Sequence, residues 1–290
     1  MKFTPPKEKE KREAIGSLKD LPKNLQKFFS SQFFNPIPSP RPYDWLSNHI
    51  EEGQTFDDFL HSYFNIPDKN RNRIYLQPLG EFPPDAPSIL KLKKYTEAFF
   101  MMDVIDLNHI EIKNLKLTKR KNPYTNKEQF LTLDILAYLK KNLPRNAFCL
   151  VGITMEDLYP EPSWNFVFGQ ASILERVALY SFARYDPSFY GEERRKDYKK
   201  ILLKRSCKVL SHELCHIFGI SHCIFYHCVM NGSNHLEESD ARPLHLCPVD
   251  LRKLHYVIGF DIKKRYEKLY DFYEENDFQE EKEWVKKILR

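Results

Sequence analysis

Residues 212–222 read His-Glu-Leu-Cys-His-Ile-Phe-Gly-Ile-Ser-His, and the residue types and offsets in that string suit a hydrolytic zinc centre. On a helix, His212 and His216 stand four apart and project from one face, so both imidazoles can reach one metal ion. Glu213, turned by about 100° around the helix, can lie beside a water held by the metal and serve as its general base. Gly219 lets the chain leave the helix and turn back, where a side chain would obstruct the reversal. His222 then supplies a third nitrogen. Three neutral ligands leave a fourth position open, which marks a catalytic zinc site and not a closed structural one.

A bare HExxH string arises by chance, but here the glycine and the third histidine stand at the required offsets and a methionine follows at position 230. Leu203, Cys207, Leu210, Leu214 and Ile217 recur at helical spacing, forming an apolar stripe that faces away from the histidines and belongs to the core. Downstream the ligand types crowd together. Five of the six cysteines lie between positions 207 and 247, and seven of the ten histidines between 212 and 255, which packing alone does not explain. Cys223, Cys228 and Cys247 could contribute to a second, closed zinc site that braces the loop leaving the first. Cys207 and Cys215, inside the helix, read as small buried residues.

The string HELCHIFGISHC, with IFYHC, VM and NGSNHLEESDARPLHLCP after it, resembles the archaemetzincin branch of the metzincin metallopeptidases. Upstream, AFCLVGITMEDLYP, SWNFVFGQAS and SFARY are also similar to segments of that family, so the resemblance spans about residues 40 to 265. It implies a catalytic zinc on His212, His216 and His222, Glu213 as base, and Met230 as the methionine of a turn beneath the metal. It also implies a second zinc on four cysteines, of which Cys223, Cys228 and Cys247 are present. At the fourth position this chain has Asp250. A carboxylate can complete such a site, though less readily than sulfur. His245 and His227 are nearby alternatives, and loss of the site is the third; retained but weakened binding is expected.

Composition bounds the rest. The 290 residues suffice for one core with an appendage or for two small domains. A hydrophobic content of 42% with 14% aromatics indicates a globular chain. The net charge of +5 is mild and interspersed, so no basic stripe suggests nucleic acid, and no apolar run approaches a membrane span. The opening MKFTPPKEKEKREAIG has charges and prolines where a signal peptide needs an apolar stretch. A reducing compartment is therefore expected, the cytoplasm and also the nucleus, which suits cysteines used as metal ligands. A monomer is expected.

The elements that must position these groups follow from pattern. Residues 1–70 read as a charged and proline-rich arm with short helices packing on the core: a frayed start to Arg12, a helix within 17–35, an extended NPIPSPRPYDW, and a helical 45–64. Residues 71–222 read as the upper catalytic subdomain. Its strands are expected at 74–80, 107–120 and 147–154, with helices at 88–102 and 128–142. Two strands follow across 164–185 with a bend at Gly169, and then the histidine helix. Residues 223–290 read as a lower subdomain with the methionine turn, the cysteine cluster and helices from Asp250 and Asp261. The fold class is α+β, and the resemblance implies a metzincin-like zincin: a twisted mixed sheet with backing helices above an active-site helix, and a small helical C-terminal half.

The expected reaction is peptide hydrolysis, with a substrate strand lying along an edge near Phe168, Gly169 and Gln170. The resemblance favours short peptides, trimmed at the amino end. A zinc-stabilised scaffold with little turnover is the alternative, although such a site has no need of Glu213. Trp164 is expected in the core or a cleft wall, and the acidic run at 237–240 as a capping turn.

Overall fold

The computed structural model describes residues 3–290. Contacts divide the chain into two compact units, one of residues up to 66 together with 218–290, the other of residues 67–217. In the first unit, α1 (Glu8–Ile15), α2 (Lys23–Gln26), α3 (Trp45–Asn48) and α4 (Phe56–Leu60) are short. Residues 8–15 are not frayed: Lys11, Ala14 and Ile15 on α1 are buried. The short helix expected within 17–35 is α2, continued by 3₁₀ turns, whereas the helix expected over 45–64 is broken into single turns. In the second stretch Gly53, at φ 77°, presses on Ile224, where a Cβ would come within 2.6 Å. The first helix there, α3, has already ended at an extended His49, and after Gly53 the chain begins α4 at its Thr55 cap.

The second unit is built on a five-stranded sheet in the order β2-β1-β5-β8-β7. Its strands are β1 (Arg73–Leu79), β2 (Asp103–Asp106), β5 (Ala147–Thr154), β7 (Gly169–Ser172) and β8 (Val177–Ser181). Every residue of the continuous apolar run in β5 is buried, as expected for a strand with β1 and β8 as parallel neighbours. The end strand β7 runs antiparallel to β8. A second, three-stranded sheet contains β3 (Lys119–Lys121), β4 (Glu128–Leu131) and β6 (Asp157–Tyr159).

Three expectations change here. The alternating stretch 107–120 forms only β3, at its end. Ile110, Ile112, Leu115 and Leu117 pack half-buried on the core, so the alternation records one-sided burial without a ladder. The stretch 128–142 begins as β4, because Gln129 is buried and bonds the Asn165 carbonyl at 3.0 Å; only then does α6 (Thr132–Lys141) start. The bend expected at Gly169 is a turn at 173–176 with Arg176 at φ 55°.

Helices α5 (Ile89–Phe100) and α7 (Tyr198–Ile217) pack on each other. The start of α7 is tied down by Asp85, which accepts from Tyr198 at 2.6 Å and pairs with Arg194 at 2.8 Å and Lys199 at 3.1 Å. Back in the first unit, α8 (Leu236–Ala241), α9 (Pro248–Ile258), α10 (Ile262–Glu275) and α11 (Gln279–Leu289) follow. The arm belongs with them because α1 and α4 pack on α9, where Arg252 reaches Asp20 at 2.8 Å. The C-terminal helix is not merely exposed: Val285 and Ile288 are buried and the Trp284 indole donates to the Phe33 carbonyl at 2.9 Å. Among the described residues no helix is long and apolar enough to cross a membrane.

Gly219 carries the reversal inferred for it. Its φ of 92° disfavours a side chain, and a Cβ would lie 2.7 Å from both the Tyr63 carbonyl and Phe64 Cβ. The buried Gln54 amide grips the same turn, donating to the Gly219 carbonyl and accepting from the Ser221 N–H, each at 3.1 Å. Gly219→Ala is expected to destabilise the protein by on the order of 2 kcal/mol or more, since strain and overlap add. Chemical denaturation of the metal-free variant checks this, and an unchanged midpoint would refute it.

Candidate functional site

The first two ligand candidates stand on α7. Its stripe of Leu203, Cys207, Leu210, Leu214 and Ile217 is buried, and Cys207 and Cys215 are core residues as expected. The helix packs on β7, β8 and α5, where the Tyr95 hydroxyl meets Ser211 Oγ at 3.2 Å. On the other face His212 and His216 hold their Nε2 atoms 3.1 Å apart with perpendicular rings. Two imidazoles on one tetrahedral zinc, with bonds of about 2.0–2.1 Å, would place those nitrogens about 3.3 Å apart. The pair therefore fits the metal within a few tenths of an ångström.

Glu213 lies against Gly169, the first residue of β7. A Cβ there would stand 2.9 Å from the Tyr180 ring, 3.1 Å from the Leu179 carbonyl and 3.2 Å from Glu213 Cγ. The glycine is required for close approach. Tyr180 is wholly buried, and burial followed by the nearby Glu213 raises its phenol well above the ordinary range, so it stays neutral. Beside it, Phe168 stacks on Tyr185 at 4.8 Å and meets Phe166 edge-on at 5.1 Å. Gln170 accepts from the Thr132 hydroxyl. A buried Arg184–Asp157 pair at 2.7 and 2.8 Å supports this stretch, with the guanidinium 3.9 Å over Phe166. Trp164, expected in the core or a cleft wall, is 48% exposed. The side chains of Phe168 and Gln170 are thus engaged, while β7, which starts just after Phe168, ends the sheet.

His222 sits in the other unit. Its Nδ1 is 2.8 Å from Glu51 Oε1, which also accepts from the Trp45 indole at 2.8 Å. The His222 hydrogen bond, opposed by burial and joined by that of Trp45, holds the Glu51 carboxyl below the usual range. Trp45 lies edge-on to His222 at 5.2 Å and stacks on His49 at 3.7 Å.

The same unit gathers Cys223, Cys228, Cys247 and Asp250, all buried, with their donor atoms within 4.8 Å of one another. The Cys223 and Cys247 sulfurs are 3.6 Å apart, and Asp250 Oδ2 is 3.3 Å from both Cys228 and Cys247. A tetrahedral zinc requires about 3.8 Å between sulfurs and about 3.5 Å from sulfur to oxygen, so the set fits a metal. His245 takes no part: it stacks on Trp284 at 3.8 Å, and burial pushes its pKa down to about 3. Nor does His227 belong to the cluster. Asp250 Oδ1 binds the buried Lys253 ammonium at 2.9 Å, leaving Oδ2 for a ligand role. Burial, then the neighbouring Cys223, raises the Asp250 carboxyl to about 6. Burial opposes ionisation of Cys223, yet hydrogen bonds from Cys228 and Cys247 lower its thiol well below the ordinary value.

Met230 is wholly buried and locked to this cluster. Its N–H donates to Cys228 Sγ at 3.4 Å and its carbonyl accepts from the Cys223 N–H at 2.9 Å. Asn231 accepts from the Cys228 N–H and donates to the Cys223 and Tyr226 carbonyls. The acidic run lies on the helix α8 and not in a turn, but it caps as expected: Glu238 accepts from the Trp45 and Asn234 N–H groups, and Glu237 pairs with Arg41 at 2.7 Å. Sequence reasoning did not find Glu51, Trp45, Gln54, Arg184, Asn231 or Lys253. Lys253 carried a signal, three residues after Asp250 on one helix, and Asn231 bonds within its own loop, to residues three to eight positions away; the others meet partners far along the chain.

Residues 124–256 match the model of peptidase family M54. Archaemetzincin-2 of Mus musculus is 43% identical over 267 residues, covering 82% of this chain and 74% of that protein. Archaemetzincin-2 of Homo sapiens is 41% identical over 268 residues, covering 83% and 74%. Among solved structures, the archaemetzincin of Methanopyrus kandleri aligns with a TM-score of 0.50 at 26% identity, covering 67% of this chain and 99% of that one. A mixed α+β fold with this histidine helix defines a zincin-type zinc metallopeptidase. The chain belongs to the archaemetzincin family.

Gly169→Ala is expected to push Glu213 aside while leaving the histidines in place. Hydrolysis should fall by at least about tenfold with zinc content unchanged, as small misplacements of a catalytic group do. Full activity of the variant on any peptide the parent cleaves would refute the packing argument.

Proposed function

We propose that the protein hydrolyses short peptides, trimming from the amino end, with zinc held by His212, His216 and His222. The observation that carries this reading is the His212–His216 pair at ligand spacing on a buried helix, with Glu213 beside the end strand β7. The turn at Gly219 returns the chain, and His222 has its Nδ1 committed to Glu51, so Nε2 is its available ligand atom. Zinc, when bound, supplies Lewis acidity that lowers the pKa of a coordinated water and polarises the carbonyl under attack. Glu213 takes the proton of the attacking water and returns it to the leaving amine. The edge formed by Phe168 and the first residues of β7, Gly169 and Gln170, orients an extended substrate through main-chain hydrogen bonds. Cys223, Cys228, Cys247 and Asp250 hold a second zinc that fixes the Met230 turn. Three cysteines gathered at metal-ligand spacing, Cys223, Cys228 and Cys247, support a reducing compartment such as the cytoplasm.

The test is digestion of a peptide library by zinc-loaded protein, read by mass spectrometry. Glu213→Ala should keep its zinc and lose at least about a hundredfold in rate, because the carboxylate moves protons and is not a ligand. His222→Ala should lose the catalytic zinc. Equal turnover by Glu213→Ala, or full zinc affinity in His222→Ala, would remove that residue from the mechanism.

The second site gives a separate expectation. Asp250→Cys should tighten its zinc against chelators and raise the melting temperature, since sulfur suits zinc better and the metal binds only the folded state. Cys228→Ser should release this zinc and spare the catalytic one. A parent protein with a single zinc that Cys228→Ser leaves untouched would refute the assignment.

A further inference from the structure

We infer that Glu51 is a positioning residue for the catalytic metal: it accepts the Nδ1–H of His222 and so fixes the tautomer and ring orientation that present Nε2 to zinc. The inference rests on the reading of His222 as the third ligand. His212 and His216 are aimed by a buried helix, but His222 follows the Gly219 turn and has no helix to aim it. A neutral imidazole carries one N–H, and only the tautomer with that hydrogen on Nδ1 leaves Nε2 as a donor to metal. The contact of 2.8 Å between His222 Nδ1 and Glu51 Oε1 selects that tautomer. A carboxylate partner also raises the basicity of the distal nitrogen.

The carboxylate is itself braced, as a group with this duty must be. The Trp45 indole donates to the same Oε1 at 2.8 Å and sits edge-on to the His222 ring. Trp45 presses on Gly232, where a Cβ would come within 2.4 Å of the indole, and its backbone N–H is held by Glu238 at 2.8 Å. Residues 45–51 are therefore pinned to the segment that follows Met230, and the N-terminal stretch supplies a support for the third ligand.

The experiment measures zinc affinity by chelator competition in the parent, Glu51→Ala, Glu51→Gln and His222→Ala proteins. It also records the His222 tautomer in the metal-free proteins by long-range proton–nitrogen NMR, above the ordinary histidine pKa. Glu51→Ala should weaken zinc binding by about 10–100-fold, the usual cost of losing such a partner, and move the His222 hydrogen towards Nε2. Glu51→Gln keeps an acceptor, so it should retain the Nδ1–H tautomer with a smaller loss of affinity. It also serves if the alanine variant folds poorly, which melting of the metal-free proteins reveals. Parent-like affinity in Glu51→Ala, or an unmoved tautomer, overturns the inference. Parent-like affinity in His222→Ala instead overturns the ligand assignment on which it rests.

Discussion

A side chain proposed to bind zinc must be held against its own freedom, and the rest of this structure depends on how that is done for His212 and His216. The two sit one turn apart on α7 with nitrogens 3.1 Å from each other. Helical geometry sets that spacing, and burial of the opposite stripe prevents the helix from turning about its axis. Packing of α7 on β7 and β8 then places Glu213 against a strand, and Gly169 makes the approach close enough. Spacing, orientation and the neighbour of the base all follow from one buried helix.

The other unit solves a related problem with fewer regular elements. Its helices are mostly short, and its inner order comes from cross-links of polar groups. Gln54 holds the Gly219 turn, Asn231 ties the cysteine loop, and Glu51 with Trp45 holds His222. The cysteine cluster belongs to the same scheme, since Met230 is bonded at both its N–H and its carbonyl to residues of that cluster. Asp250 is tolerated among the three cysteines because the buried Lys253 ammonium binds one carboxylate oxygen. Without such a partner a buried carboxylate would be costly.

The sequence alone made the proposed constellation of His212, Glu213, His216 and His222 legible, because the helix repeat and the glycine offset encode it within eleven residues. It likewise determined β1, α5 and β5, whose apolar patterns are long and bounded by clear caps. It did not determine where one-sided burial forms a ladder and where it does not, as in 107–120 and at β4, because periodicity reports a buried face and not a hydrogen-bond partner. Nor did it place the N-terminal 66 residues in one unit with the C-terminal helices, or choose Asp250 over His245 and His227 as the fourth member of the cysteine cluster. The first rests on contacts such as Arg252 with Asp20 and Glu51 with His222, between residues 171 or more positions apart, and the second on which donor atoms the folded loop brings within reach of the sulfurs. No local pattern carries such a pairing, so only the tertiary structure decided it.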